Sequence, residues 1–153
     1  MAKKKLVSAV DMVNRPPHYR KEVFTYPQVE CIHIARLLPF CQGNAFKYVW
    51  RAGMKNPAAY REDIEKALWY FRDMDRSCTI AQDGKADEVM DLMLAPVFEA
   101  GVITRRQLLL GLLVKWPMGS SLIEKRLEDC LKRSPAYIDG EIELTKALRE
   151  LLK

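Results

Sequence analysis

The strongest constraint in this chain is the spacing of six apolar residues. Tyr60, Ile64, Ala67, Leu68, Phe71 and Met74 fall at i, i+4, i+7, i+8, i+11 and i+14. That is the period of a helix with one buried stripe. Asn56 can cap such a helix and Pro57 suits its first turn. A helix of this length must bury its stripe against other elements. No stretch alternates apolar and polar residues strongly enough to supply a sheet, so the partners are expected to be helices.

The rest of the chain meets that expectation. A first helix is predicted after Pro27, with Val29, Ile32, Ala35 and Leu38 at helical spacing and Pro39 ending it. Cys41 to Asn44 reads as a turn, with Gly43 or Asn44 capping a short helix from Ala45 to Ala52. Gly53 is a left-handed terminator. Four further helices are predicted over about 86–99, 105–115, 121–132 and 140–152. Thr104 with Gln107, and Ser121 with Glu124, have capping-box spacing. Gly101 ends one helix, Pro96 lies inside it, and Asp139 can cap the last.

The predicted fold is therefore all-α: a helical domain with a short extended N-terminal segment and a C-terminal helical extension. Residues 1–12 read as a flexible lead-in, residues 13–76 as the domain and residues 86–153 as the C-terminal helical region. With 153 residues, 49% of them hydrophobic, the chain can bury a core without staples. Leu108 to Val114 is apolar on nearly all sides. Such a helix must be covered, and a homo-oligomer interface is the expected cover.

Charge and cysteine usage narrow the function. The net charge is +5, from 25 basic and 20 acidic residues. That excess is mild, and duplex DNA is not the expected partner. The four cysteines form no CxxC pair and the chain has only two histidines, so zinc-ligand spacing is missing. Leu6 to Val10 is too short for a signal-peptide core, and Leu108 to Val114 is far short of a membrane span. The expected location is the cytoplasm, with no membrane partner.

Chemistry concentrates between Val13 and Asp75. Lys47 and Arg51 stand four apart and share a helix face. Lys55 can fold back beside them after Gly53. The amides near Gly43 and Asn44 would lie at a helix start, where anions are favoured. Asp63, Lys66 and Tyr70 lie at i, i+3 and i+7 on the next helix. His18 and Tyr19 enter from a proline-rich segment. On spacing alone, Lys47 and Arg51 can equally be surface cations, and Asp63 can simply pair with them.

These residues also carry a resemblance. The pattern runs from Val13-Asn14-x-Pro-x-His18-Tyr19 through Glu30-Cys31-Ile32. It continues with Gly43-Asn44-x-x-Lys47-Tyr48-x-x-Arg51-Ala52-Gly53-x-Lys55 and ends with Asp63-Ile64-x-Lys66-Ala67-x-x-Tyr70. It resembles the SaV-like domain, a small domain common in bacteriophage genomes and long described as of unknown function. Members include a phage kinase of deoxynucleoside monophosphates. Two departures stand out: Pro17 replaces a small polar residue of many relatives, and the kinase relative has a long N-terminal extension.

The resemblance implies nucleotide binding and phosphoryl transfer to a nucleoside monophosphate, in host cytoplasm if the chain is phage-encoded. ATP or another nucleoside triphosphate would be the donor, with magnesium as its companion ion. Tyr19, Asn44, Lys47, Tyr48, Arg51, Lys55, Lys66 and Tyr70 are the implied nucleotide contacts, with His18 and Asp63 catalytic. Tyr48, Trp50 or Tyr70 could stack a base. No Walker loop occurs, so the phosphate cradle must be built from these cations. Two alternatives stay open. One is a non-enzymatic protein that binds or sequesters nucleotide or inhibits a host protein. The other is a magnesium-dependent pyrophosphatase using Glu62, Asp63 and Glu65 with Asp87, Glu88 and Asp91.

Overall fold

The computed structural model describes residues 23–24, 29–77 and 84–151. Two helices come first: α1 (Cys31–Ala35) and α2 (Phe40–Arg51). A 3-10 turn at Pro57–Ala59 then leads into α3 (Tyr60–Ser77). The second half holds α4 (Lys85–Ala100), β1 (Val102–Thr104), α5 (Arg105–Val114) and α6 (Ser120–Leu131). A second 3-10 turn (Pro135–Asp139), β2 (Glu141–Glu143) and α7 (Leu144–Leu151) complete it. The fold is mostly α, as the periodicity predicts. Among the described residues, no helix is long and apolar enough to cross a membrane.

The stripe of α3 is central. Ile64, Ala67, Phe71 and Met74 are all buried, packed against α2 on one side and α6 on the other. Asn56 accepts a hydrogen bond from the Ala58 amide, and Pro57 opens the turn that feeds α3. At the other end of the core, Thr104 and Gln107 form the expected capping box of α5. Gly101, at φ 73°, ends α4.

Several local expectations are corrected. The segment Cys41–Asn44 is helix, not a turn: α1 already ends at Ala35, short of Leu38, and Pro39 opens α2 instead of ending α1. The Gly43 amide donates to the Pro39 carbonyl at 2.8 Å, so Gly43 and Asn44 offer no helix N-terminus to an anion. Gly43 serves packing instead: a Cβ there would sit 2.7 Å from the Ala35 carbonyl oxygen. Antiparallel β1 and β2 pair Ile103 with Ile142, a small sheet the sequence does not announce. Strands of three residues are too short to show an alternation. Strand β2 also delays the last helix to Leu144. Asp139 does not cap that helix but pairs with Arg106. Gly119, at φ 71°, precedes α6, so Ser121 is not its cap, and Glu124 pairs with Arg72 of α3. The short extended N-terminal segment expected ahead of the first helix falls largely outside the described residues.

Helix α5 is buried along its length, with Leu108, Leu109, Leu110, Leu112, Leu113 and Val114 all at 5% exposure or less. Its cover comes from α2, α4 and α6 of the same chain. The apolarity of α5 is therefore no ground for a homo-oligomer. Two buried polar groups tie it to α2. Gln42 donates to the Leu113 carbonyl at 2.7 Å. Arg106 donates to the carbonyls of Val49, Trp50 and Ala52, each at 2.8 Å. These are the carbonyls a helix leaves unpaired at its C-terminus. A buried cation there also meets the negative end of the helix dipole.

Candidate functional site

Helices α2 and α3 pack side by side and merge two sets of polar residues into one face. Helix α2 supplies Asn44, Lys47, Tyr48 and Arg51; α3 supplies Asp63, Lys66 and Tyr70. The rings of Tyr48 and Tyr70 stack across the helix interface at 5.9 Å and 12°. Three cations gather on Tyr48: Lys47 Nζ at 4.5 Å, Arg51 Cζ at 4.6 Å and Lys66 Nζ at 5.5 Å from its ring centre. The negative face of the ring offsets part of the repulsion among them.

Hydrogen bonds fix the cations further. Arg51 donates through Nε at 3.0 Å and Nη2 at 2.9 Å, both to Oδ1 of Asp63. Asp63 is only 2% exposed, and its Oδ2 has no partner among the described residues. Lys47 donates to Asn44 Oδ1 at 3.1 Å, and Asn44 is held by its own bond to the Phe40 carbonyl. Lys66 pairs with Glu62 at 2.6 Å. That bond holds the Glu62 carboxyl below its ordinary range, with Arg51 and Lys55 adding to the effect. The exposed Lys55 thus belongs to the same electrostatic field. His18 and Tyr19 lie outside the described residues.

The aromatic part of the face differs from the sequence reading. Trp50 is wholly buried and cannot stack a ligand. Tyr48 is engaged by Tyr70 and by three cations. The accessible rings are Phe40, 75% exposed, and Trp69, 62% exposed. Both meet Tyr70 edge-on, at 6.0 Å and 5.0 Å. Sequence reasoning missed them, though a signal existed. Trp69 falls off the apolar stripe of α3 and Phe40 follows a proline, so neither had a core position.

The carboxylates are arranged for pairing. Glu62 meets Lys66, Asp63 meets Arg51 and Glu65 meets Arg61. Asp87 and Asp91 both meet Lys115. Among the described residues no three His, Cys, Asp or Glu side chains gather as a metal site. Those residues do not fit a protein-held magnesium ion.

A mostly helical protein with a cation-and-aromatic face between two helices is the class this geometry defines. Residues 13–72 match the model of a family described as protein of unknown function (DUF3310). No curated protein and no solved structure matches the chain. The matched stretch contains every residue of the α2–α3 face and stops before α4.

Proposed function

We propose that the α2–α3 face binds a nucleotide. Lys47, Arg51, Lys66 and Lys55 hold its phosphates, and Phe40 and Trp69 receive its base. The observation that carries this reading is the gathering of three cations on the Tyr48 ring, beside two exposed aromatic rings. Lys47 and Lys55 are in no ion pair among the described residues, and together with Arg51 and Lys66, which also meet Asp63 and Glu62, they suit a phosphate. Exposed rings suit a base, whose stacking contributes about 1–3 kcal/mol.

The SaV-like resemblance extends the reading to a reaction. The terminal phosphoryl group of a nucleoside triphosphate passes to a phosphate oxygen of a nucleoside monophosphate, leaving two diphosphates. The accepting oxygen is already ionised near neutral pH, because the second phosphate pKa is about 6. No general base is therefore required. Positioning and charge neutralisation suffice, and cations supply both. Asp63 then acts as a positioning residue that orients Arg51. Magnesium would arrive with the triphosphate donor.

The test has two stages. Equilibrium binding of deoxynucleoside monophosphates and ATP is measured on the wild type and on K47A/K66A. Loss of charge-assisted hydrogen bonds, each about 1.5–3 kcal/mol, should weaken binding by about ten- to a hundred-fold or more. Unchanged affinity in that variant overturns the site. Incubation of wild type with ATP and a monophosphate, followed by chromatography, then looks for diphosphates. Tight binding without diphosphate formation would replace transfer with sequestration.

A further inference from the structure

The C-terminal half carries a second basic cleft, outside the stretch matched by the family model. It has a volume of about 220 Å³ and opens between α5, α6, the second 3-10 turn, β2 and α7. Four of its walls' side chains are cationic: Arg105, Lys125, Arg126 and Lys146; two are acidic, Asp129 and Glu150. Arg126 pairs with Glu150. Among the described residues, Arg105, Lys125 and Lys146 are in no ion pair. Arg105 instead lies over the Tyr137 ring at 4.0 Å and donates to the Tyr137 carbonyl at 3.3 Å. The cleft thus keeps a surplus of positive charge that no ion pair among the described residues neutralises.

A second observation points the same way. The Nε groups of Arg105 and Arg126 are both buried, and neither has an acceptor among the described residues. A buried donor left unpaired costs about 1–3 kcal/mol. Both guanidinium groups therefore keep unused hydrogen-bonding capacity in the wall of a cleft with surplus positive charge, which a bound anion would offset. A planar guanidinium is the side chain best matched to phosphate oxygens, and lysines add point charges around it. A phosphate fits the volume easily, since a water occupies about 30 Å³ of liquid.

We infer that the cleft between α5, α6 and α7 binds a small phosphate dianion, either inorganic phosphate or a phosphate monoester, independently of the α2–α3 face. Arg105 and Arg126 form its fixed floor, and the exposed Lys125 and Lys146 close the charge around the ligand. The apolar Leu122 and Ile142 at the wall favour a monoester with an apolar substituent over the free ion.

Calorimetric titration of the full-length chain with inorganic phosphate and with phenyl phosphate, at constant ionic strength set by chloride, tests this. Saturable binding of at least one is expected. The variant K125A/K146A alters only exposed side chains, so it should fold as the wild type does. It should bind phosphate at least about ten-fold more weakly. The variant K47A/K66A should retain the interaction in full, which separates this cleft from the α2–α3 face. Tighter binding of phenyl phosphate marks a monoester site; equal binding marks a site for the free ion. Absence of saturable binding to the wild type, or equal affinity in K125A/K146A, overturns the inference.

Discussion

Arg51 gives two donors to one oxygen of Asp63, and the other oxygen of that buried carboxylate is unpartnered among the described residues. The pair therefore has a structural duty as well as a proposed role in binding. Removing one member of a buried pair costs about 3–5 kcal/mol, so Asp63→Ala should lose that much in urea unfolding. Arg51→Lys keeps the charge but not the fork of donors. It should be milder in stability and still weaken nucleotide binding by about ten- to a hundred-fold, from the roughly 1.5–3 kcal/mol of a charged hydrogen bond. Both quantities are read on the same protein. A lower melting temperature with unchanged affinity would remove Arg51 from the phosphate site.

Arg106 joins the two halves of the chain. It is 2% exposed and donates to three carbonyls at the end of α2 and to both oxygens of Asp139. Arg106→Ala strands those carbonyls in the core and should cost about 3–5 kcal/mol. Arg106→Lys cannot reproduce the fork and should recover less than half. Asp139 is 56% exposed at its side chain, so Asp139→Asn should cost about 1 kcal/mol or less. Chemical denaturation of the three variants checks the ranking, and equal losses would refute it.

Helical period and some caps and terminators were legible, because their physics is local, whereas the Ser121–Glu124 spacing and Asp139 misled. The stripe of α3, the Thr104–Gln107 box and the left-handed Gly101 all depend on residues close in sequence. What could not be read depends on partners far along the chain. Pro39 reads locally as a stop, yet α1 has already ended at Ala35 and Pro39 opens α2. The apolar α5 reads as a surface needing a second copy, because nothing local shows that α2, α4 and α6 enclose it. In the site, the i, i+4 spacing of Lys47 and Arg51 was visible. The gathering of Lys66 on Tyr48 requires α3 to lie beside α2, and only the tertiary structure supplies that.

Gly43 allows α1 and α2 to touch. An added Cβ would meet the Ala35 backbone oxygen at 2.7 Å, which no side-chain rotation relieves. Gly43→Ala should therefore cost about 1–3 kcal/mol by overpacking, despite alanine's better helix propensity. Gly111→Ala is the internal comparison: its nearest neighbour is a flexible Leu94 methyl at 3.5 Å, so it should be tolerated. Thermal unfolding of both variants decides; a Gly43→Ala protein as stable as wild type would show that the helices can separate freely.

Burial pushes the Cys31 thiol up to about 12 from an ordinary value of 9.0, with Lys47 opposing weakly. The folded chain then holds this proton more tightly than the unfolded chain does. The stabilisation is complete below pH 9.0 and is lost as pH rises toward about 12. Within that window one such group should contribute a slope of about 1.4 kcal/mol per pH unit. Cys31→Ala should flatten the alkaline limb of the stability curve by up to that amount. A variant whose limb parallels the wild type would show that the thiol ionises without unfolding.

Phe40 and Trp69 decide whether the ligand is a nucleotide or merely a phosphate. Both rings are exposed and lean on Tyr70, while the cations lie around Tyr48. A base stacked on them should quench the emission of Trp69 and leave unchanged that of the buried Trp50 and of Trp116, which follows α5 outside the face. Base–aromatic stacking contributes about 1–3 kcal/mol per base, so F40A/W69A should weaken nucleotide binding by about five- to a hundred-fold. Ribose 5-phosphate has the charge and the sugar but no base, and its affinity should be the same for wild type and variant. K47A/K66A should weaken both ligands together. Equal loss of nucleotide and ribose phosphate in F40A/W69A would mean that the rings support the fold of the face, and the base would have to be placed elsewhere.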